Sequence, residues 1–299
     1  MISQYCPAKL NLFLRIVGQR SDHHHNLESI FFKINLFDEI SVSKSSHFSV
    51  KIVGEFANLI DIDNNIFTQI FNFFSRQFKL QSAVEIKLYK NIPIGAGLGG
   101  GSSNGASFIK ILNQIFELNL SSLAMHDIAL KFGSDIAFFL HDSPSLVSGR
   151  GEVVEPLSNI SLAFTENFVK ALSSCKILLI NPKITLPTPQ IFKNYAQKIA
   201  NNKLRYSSLI NRHELFKMSL ANILQNFNND LENSAFDFAP ELLKIKFDLE
   251  KFLPLSAKMS GSGSSFFAIF DNEANYEKCI DFFNRNYPQY LIQQVAPIN

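Results

Sequence analysis

Residues 95–104 read Gly-Ala-Gly-Leu-Gly-Gly-Gly-Ser-Ser-Asn, and apolar residues at helical spacing follow them. Glycine lets a backbone approach a ligand closely and adopt positive φ, so five glycines in one turn allow N–H groups to converge on an anion. The following helix adds the N–H groups of its first turn and the positive end of its dipole. The stretch therefore predicts a phosphate-binding loop, with a glycine-rich turn that binds no ligand as the alternative.

The loop matches the dinucleotide-binding fingerprint only in part. Gly95, Gly97 and Gly100 fit G-x-G-x-x-G. That fold requires a buried parallel strand before the loop and an acidic residue about 20 residues later, at the end of the next strand. Here residues 83–88 alternate apolar and charged side chains, as a half-exposed strand does, and the acid at the expected distance, Glu117, still lies in the helical pattern. The sequence argues against a Rossmann domain.

The same stretch imitates a Walker A loop that lacks its lysine. Gly95 and Gly100 have the required separation, but Gly101 stands where the lysine belongs, and Ser102 follows it. That lysine contacts the outer phosphates of a nucleotide. A positive charge for the phosphates must therefore come from elsewhere in this chain.

Length, charge and cysteine content narrow the class of protein. A chain of 299 residues fits two domains, and a formal net charge of +2 is too small to indicate nucleic acid or an anionic membrane as a partner. Three widely spaced cysteines indicate reduced thiols rather than a disulfide framework or a zinc site. No stretch approaches the ~20 apolar residues of a membrane span, and the N-terminus shows no signal pattern. We expect a cytoplasmic protein.

Strand and helix patterns are mixed along the chain without a strict βαβ repeat, which favours an α+β architecture. Residues 7–17 alternate as a strand that places Lys9 and Asn11 on one face, and residues 157–174 look like a connection. From Ser103 the apolar residues keep helical spacing. Further strands are predicted at 27–43, 48–53, 83–90, 176–180, 266–270 and 289–295, and further helices at 64–79, 121–132, 136–140, 189–200, 213–229, 240–251 and 273–286.

Four segments that lie far apart in the sequence carry polar residues suited to one site. They are Lys9 with Asn11, the glycine stretch, Asp135 at a helix start, and a Ser-Gly-Ser-Gly-Ser-Ser turn at 260–265. This set resembles the GHMP kinase superfamily and, within it, the 4-diphosphocytidyl-2-C-methyl-D-erythritol kinases. The motifs that carry the resemblance begin at Pro7, Gly18, His25, Pro93, Gly133, Gly149, Thr185 and Gly261, and they span most of the chain.

The resemblance implies a two-domain GHMP kinase fold. Residues 1–158 would form an N-terminal ATP-binding α/β domain of the ribosomal protein S5 domain 2-like type, and residues 159–299 a C-terminal ferredoxin-like substrate domain. It also implies an ATP-dependent kinase that phosphorylates the 2-hydroxyl of 4-diphosphocytidyl-2-C-methyl-D-erythritol in isoprenoid precursor biosynthesis. ATP is then the co-substrate, Mg²⁺ is expected with it, and the partner is a small molecule with a cytidine diphosphate moiety.

The resemblance assigns roles to single residues. Asp135 would be the base toward the acceptor hydroxyl, because a carboxylate within hydrogen-bond reach can take its proton, and Lys9 would supply the charge that the loop lacks. Taken alone, Asp135 could be a helix N-cap and Lys9 a solvated strand lysine. The residues implied in ATP binding are Asn65, Pro93, Gly95, Ala96, Gly97, Leu98, Gly99, Gly100, Gly101, Ser102, Ser103 and Asn104. Those implied in substrate binding are Asn11, Asp22, His24, His25, Thr185, Thr188, Gly261 and Ser262.

The triplet His23-His24-His25 also invites a metal interpretation, but no third ligand with suitable spacing is nearby, and we predict no metal-ligating residue. His25 matches the family histidine that recognises cytosine, whereas His24 and His23 replace a tyrosine and a glycine of the family pattern. Asp22 could instead be a simple turn former.

Other segments have plainer alternatives as well. Asn65 could be a helix cap, and Pro187-Thr188-Pro189 a rigid turn.

Three rival functions stay open from the sequence. A GHMP kinase for homoserine, mevalonate or a sugar would need no cytidine diphosphate on its substrate. A catalytically silent relative would have lost the aspartate or the lysine, and both are present at Asp135 and Lys9. An NAD-binding protein would bind NADH without competition from ATP.

Overall fold

The structure is a computed structural model that describes residues 1–61 and 65–298. Strands and helices are mixed along the chain, which confirms the predicted α+β class. The strands are β1 (Ile2–Asn11), β2 (Arg15–Gln19), β3 (His25–Ser45), β4 (Ser49–Val53), β5 (Ala83–Tyr89), β6 (Ser145–Gly149), β7 (Val153–Pro156), β8 (Lys176–Asn181), β9 (Ser256–Met259), β10 (Phe266–Phe270) and β11 (Leu291–Val295).

The helices vary from one turn to more than four. They are α1 (Ile66–Phe78), α2 (Gly100–Ile115), α3 (Ser122–Leu130), α4 (Ile136–Phe139), α5 (Leu157–Ile160), α6 (Leu162–Ser173), α7 (Thr188–Ala200), α8 (Arg212–Leu215), α9 (Leu220–Asn226), α10 (Glu232–Phe238), α11 (Glu241–Glu250) and α12 (Glu273–Asn286).

The chain divides into two compact units, each assembled from separate segments. Unit 1 comprises Met1–Lys9, Leu36–Ile94 and Gly99–Asp142, and unit 2 comprises Leu10–Asn35, Gly95–Leu98 and Ser143–Asn299. The glycine stretch therefore contributes its first four residues to unit 2 and the rest to unit 1. The predicted domain boundary between residues 158 and 159 stays a prediction.

In unit 1 a small sheet adjoins two long helices. Strand β5 pairs with β3 on one side, antiparallel, and with β4 on the other, parallel. Every second residue of β5 is buried, as the sequence alternation predicts. Helices α1 and α2 contact each other through an edge-to-face pair of Phe67 and Phe108, whose ring centroids are 5.4 Å apart. This core supports the segment that leaves β5 and enters the glycine stretch.

Unit 2 contains a meander and a four-stranded sheet. In the meander β2 pairs with the start of β3, β3 with β6, and β6 with β7, all antiparallel. The second sheet is antiparallel with the order β11-β8-β10-β9. All five residues of β10 are buried, which marks it as the centre of this unit's core.

Three expectations about secondary structure are wrong. The strand predicted at residues 7–17 is two strands, because β1 ends at Asn11 and β2 begins at Arg15. Residues 157–174 are not a connection but hold α5 and α6, because Ser161 caps α6 and apolar Phe164, Phe168 and Leu172 recur every four residues on its buried side. The helix predicted at 213–229 is two helices, α8 and α9. The break comes where Ser219 accepts a hydrogen bond from Asn222 N–H and so starts a new helix.

The glycine stretch begins its helix earlier than predicted. The helical spacing indicates a start at Ser103, whereas α2 starts at Gly100 with Gly99 at the N-cap in the left-handed region, at φ +70°. Within the described part of the chain, no helix combines the length and the apolar character that crossing a membrane requires.

Candidate functional site

The glycine stretch is a tight loop whose backbone lies close to other segments. At Gly97 (φ +75°) a Cβ atom would collide with the carbonyl oxygen of Ser260. At Gly99 it would lie 2.9 Å from Phe139 Cζ and 3.0 Å from Lys9 Cγ. Both positions combine positive φ with no room for a side chain, so glycine is required at each.

The end of the loop presents a helix N-terminus. The first i to i−4 hydrogen bond of α2 runs from Ser103 N–H to the Gly99 carbonyl, at 2.9 Å. The N–H groups of residues 100–102 therefore come before the helical ladder, which is where a helix N-terminus binds anions. Gly101 is exposed with open space beside it, and Ser102 is half-buried. The loop has the geometry of an anion-binding site.

Lys9 and Asp135 form an ion pair beside this helix N-terminus. Lys9 Nζ lies 3.8 Å from Asp135 Oδ2, and the lysine is only 3% exposed, whereas the aspartate side chain is 35% exposed. The lysine stem passes under Gly99. The structure thus places three sequence-predicted elements, the lysine, the aspartate and the start of α2, together within unit 1.

Burial and the ion pair have opposite effects on the pKa of Lys9. Burial lowers the pKa of Lys9, and the Asp135 carboxylate opposes that shift by favouring the charged ammonium. Asp135 occupies the N-cap position of α4, but among the described residues its carboxylate accepts no capping hydrogen bond. The plainer role of an N-cap side chain is therefore not the one seen, and the carboxylate is accessible to a hydroxyl group.

A buried charged network underlies the same loop, and sequence reasoning missed it. Asp38 Oδ1 accepts hydrogen bonds from Asn91 N–H and Ile92 N–H, both at 2.8 Å, and Oδ2 accepts from Lys90 Nζ and from Asn104 Nδ2. Asp38 and Lys90 are essentially inaccessible to solvent. Burial lowers the pKa of Lys90, which Asp38 opposes. One carboxylate thereby ties the segment that follows β5 to Asn104 in the second turn of α2.

Two predicted ATP-binding residues use their side chains within the fold. The Asn104 amide donates to Asp38 at 2.9 Å. Asn65 is the N-cap of α1, where its Oδ1 accepts from Phe67 N–H and Thr68 N–H at 3.0 and 3.1 Å. The helix-cap interpretation of Asn65 is thus confirmed, and nucleotide contacts of both residues stay predictions. Pro93 lies on the way into the loop, and Ala96 and Leu98 are buried in it.

In unit 2 the glycine–serine turn 260–265 packs on the first half of the glycine stretch. Ser260 Oγ donates to the Gly97 carbonyl at 2.9 Å, and Asn11 N–H donates to Ser260 Oγ at 3.4 Å. Gly261 lies against Gly97. These contacts bring together predicted residues from three distant segments.

The threonine segment joins the same region of unit 2. Thr188 Oγ1 and Ser262 Oγ are 2.7 Å apart, and Thr185 Cγ2 lies against Gly95, 2.6 Å from where a Cβ atom would stand. Thr188 is the first residue of α7. The structure therefore places Thr185 beside the loop and Thr188 beside the turn, and their substrate contacts stay predictions.

His25 lies in an aromatic cluster elsewhere in unit 2. It is 7% exposed, and its ring centroid is 5.5 Å from Phe192, 6.0 Å from Tyr195 and 6.5 Å from Tyr206. Its Nε2 has no hydrogen-bond partner among the described residues. Burial, reinforced by His24, lowers the pKa of His25. A neutral imidazole with one unused nitrogen suits a polar heterocycle.

His24 and Asp22 occupy the exposed turn before β3. Asp22 Oδ1 accepts from His24 N–H at 3.1 Å, and this bond lowers the pKa of Asp22. Asp22 thus acts as a turn former, which was the alternative to a substrate contact. Among the described residues, neither Asp22 nor His24 hydrogen-bonds to Nε2 of His25. Nor do the described residues contain a group of three His, Cys, Asp or Glu that could hold a metal ion.

Comparison with known proteins identifies the family of this chain. The family model of the GHMP kinases N terminal domain matches residues 65–143, and that of the GHMP kinases C terminal domain matches residues 210–289. The chain is similar to the 4-diphosphocytidyl-2-C-methyl-D-erythritol kinase of Thermodesulfovibrio yellowstonii, with 33% identity over 97% of both chains. The enzyme of the same name from Chlorobium chlorochromatii is 32% identical over 94% of this chain and 92% of the relative.

A solved structure has the same fold. A 4-(cytidine 5'-diphospho)-2C-methyl-D-erythritol kinase aligns over 99% of both chains with a TM-score of 0.75 and 23% identity. At that identity the likeness concerns the fold, and it agrees with the predicted two-domain GHMP kinase architecture.

Proposed function

We propose that this chain, which belongs to the GHMP kinases and, within them, to the 4-diphosphocytidyl-2-C-methyl-D-erythritol kinases, transfers the γ-phosphate of ATP to the 2-hydroxyl of 4-diphosphocytidyl-2-C-methyl-D-erythritol. The observation that carries the proposal is the Lys9–Asp135 pair beside the N-terminus of α2. It sets a base and a cation next to an anion-binding loop, which are the parts that phosphoryl transfer to an alcohol requires.

The acceptor hydroxyl is activated by Asp135. Its half-buried carboxylate takes the hydroxyl proton as the oxygen attacks the γ-phosphorus. The bond to the bridging oxygen of ADP breaks, and the products are the 2-phosphate and ADP. The Lys9 ammonium, 3.8 Å from Asp135 Oδ2, stabilises the negative charge that develops on the acceptor oxygen.

The phosphates of ATP are assigned to the loop Gly95–Asn104. Backbone N–H groups of residues 100–102 and the dipole of α2 favour negative charge at this point. Because the loop has no lysine of its own, Lys9, whose Cγ lies against Gly99, supplies the nearby positive charge.

Mg²⁺ is proposed as the companion of ATP. This cation prefers oxygen ligands and retains several waters, so it takes one or two protein oxygens beside phosphate. The half-buried Ser102 hydroxyl at the start of α2 fits such a donor. When bound it would neutralise charge on the β- and γ-phosphates.

The cytidine diphosphate part of the substrate is assigned to residues of unit 2. His25 offers its Nε2 to the polar edge of the base, and the aromatic rings around it offer stacking surface. Remaining predicted contacts are Asn11, Asp22, His24, Thr185, Thr188, Gly261 and Ser262. A cytoplasmic location completes the proposal and is supported by three free cysteines.

A coupled ADP-release assay tests the function. The purified chain with ATP and Mg²⁺ should release ADP with the cytidylated substrate and not with homoserine, mevalonate or galactose. Turnover that needs no cytidine diphosphate moiety would favour a rival GHMP kinase. A chain that binds ATP but releases no ADP with any of these acceptors would be a silent relative.

A further inference from the structure

We propose that Asn229 and Asp230, on the link between α9 and α10, are positioning residues for the reaction proposed above. The inference rests on that proposed function. Asn229 holds the glycine–serine turn, and Asp230 holds the segment that carries Tyr206. We call these two residues the clasp. They are adjacent in sequence, and each bonds to a different part of unit 2.

Asn229 is bonded to both sides of Ser260. Its Nδ2 donates to the Met259 carbonyl at 2.8 Å and to the Gly261 carbonyl at 2.7 Å, and its Oδ1 accepts from Leu231 N–H at 3.0 Å. Both amide hydrogens are therefore used, on two carbonyls that flank one residue. The side chain is only 4% exposed, so water cannot replace these bonds at low cost.

The residue held between those carbonyls contacts the loop. Ser260 Oγ donates to the Gly97 carbonyl at 2.9 Å, and the next residue, Gly261, packs on Gly97. The conformation at Ser260 thus sets the position of Gly97 in the phosphate-binding stretch. Asn229 acts on the phosphates through Ser260 without touching them.

Asp230 bonds to β2 and to the segment that carries Tyr206. Its Oδ2 accepts from Ile16 N–H at 2.7 Å and from Ser207 Oγ at 2.8 Å, and Ser207 N–H donates to the Ile16 carbonyl at 2.9 Å. One carboxylate oxygen therefore locks residue 207 to β2. The residue before Ser207 is Tyr206, whose ring lies 6.5 Å from that of His25.

The two side chains should consequently affect different kinetic constants. Asn229 governs the loop and so the alignment of the transferring phosphate, which enters kcat. Asp230 governs one wall of the aromatic cluster, which enters the substrate KM. A purely structural role would instead change all constants of both variants together with their thermal stability.

The first test is Asn229→Asp, which keeps the Oδ1 acceptor but loses the paired donors. We expect kcat to fall about 10- to 100-fold, the effect of a small misplacement near the reacting atoms, with the KM for the cytidylated substrate changed less than about twofold. The matched control is Asn228→Asp, the same chemical change at an exposed neighbour, which should leave both constants unchanged. Equal losses in both variants would overturn the proposal.

The second test is Asp230→Ala, which should raise the KM for the cytidylated substrate about tenfold, the loss of a buried hydrogen-bond acceptor, and leave the KM for ATP unchanged. Asp230→Asn should restore most of the affinity, because both donors bond to a single oxygen that an amide can supply. Failure of this rescue, or a parallel rise in the KM for ATP, would count against the assignment.

Hydrogen exchange in the free chain separates the clasp from the proposed function. Faster exchange at residues 259–263 in Asn229→Asp but not in Asp230→Ala is expected even if the wild-type chain turns over no cytidylated substrate. In that outcome the proposed function fails while the clasp stands. Unchanged exchange at these residues in Asn229→Asp would refute the clasp whatever the activity.

Discussion

The cluster around Asp135 in unit 1 and the cluster around His25 in unit 2 are built from different interactions. The first consists of full charges in close pairs, with Lys9 and Asp135 at 3.8 Å and the buried Lys90–Asp38 pair beside them. The second consists of a neutral buried imidazole and the aromatic rings around it. Charges act on a transition state in which charge develops, whereas shape and hydrogen bonds act on a bound ground state.

Because of this difference, the two clusters should control different kinetic constants. Substitutions in the charged cluster should lower kcat with little change in affinity, and substitutions in the neutral cluster should raise the substrate KM. Each of the following predictions can break that division or sharpen it.

The largest effect is expected for Asp135→Asn. The amide cannot take the acceptor proton, so kcat should fall by about 10²–10⁴-fold, while ATP binding measured by titration calorimetry stays within about twofold. The control is Asp142→Asn, the same change at the end of unit 1. Near-wild-type turnover of Asp135→Asn would show that Asp135 is not the base.

The next effect concerns stability. Asp38→Ala leaves the Lys90 ammonium buried without its carboxylate, and breaking a buried pair in this way costs about 3–5 kcal/mol of unfolding free energy. Arg285→Ala, which removes an exposed pair with Asp281 at 3.7 Å, should cost less than ~1 kcal/mol. Urea unfolding measures both. A small loss for Asp38→Ala would show that the network does not support the loop.

An alkaline decline in activity follows from the lowered pKa of Lys9. If the ammonium assists transfer, kcat/KM falls as pH rises through that pKa, at lower pH than for an exposed lysine. In Asp135→Asn the carboxylate no longer raises the Lys9 pKa, so the residual activity should decline at still lower pH. A profile of kcat/KM from neutral to about pH 10 measures this. An identical alkaline decline in the wild-type chain and in Asp135→Asn would show that Asp135 does not affect the titration of Lys9.

The same shift has an opposite sign for stability. Between the folded and the unfolded pKa of Lys9 the unfolded chain binds more protons, so this group's contribution to stability increases as pH rises through that window. Activity lost on the alkaline side is therefore not caused by unfolding through Lys9, and a Tm measured across the same pH range distinguishes the two.

The smallest effect is expected in the neutral cluster. His25→Phe keeps a ring among the aromatic residues but removes Nε2, so the KM for the cytidylated substrate should rise about tenfold, the value of one hydrogen bond, with kcat unchanged. His24→Phe, on an exposed side chain, should change KM less. A fall in kcat for His25→Phe would contradict the division between the clusters.

The sequence predicts the loop, its helix and the pairing partners nearest to it. Five glycines before apolar helical spacing predict an anion-binding turn from local chemistry alone. The strand that carries Lys9 and Asn11 is confirmed as β1, but it ends at Asn11 and not at residue 17. The cap Asn65 is likewise a local signal and is confirmed. Structural features that depend only on neighbouring residues can therefore be predicted from the sequence.

Long-range partners cannot be derived in this way. Asp38 and Lys90 are 52 residues apart. Asp38 lies inside the predicted strand 27–43 and Lys90 at the end of the predicted strand 83–90, and each alone looks like a surface charge. Phe192 and Tyr195 have the spacing of an amphipathic helix, so nothing local separates a helix core from a ring cluster around His25. In α6 the apolar residues are present, but the intervening charges and the preceding Pro156 made the segment resemble a connection.

The ring cluster also has an optical consequence, because the chain contains seven tyrosines and no tryptophan. Its near-ultraviolet emission is therefore tyrosine emission alone, and two of the emitters, Tyr195 and Tyr206, stand beside His25 with centroids 6.3 Å apart. A ligand that binds among these rings should change the intrinsic tyrosine fluorescence, so its binding can be measured without a dye. Tyr206→Trp would make that report spectrally unique, since it would introduce the single indole of the molecule.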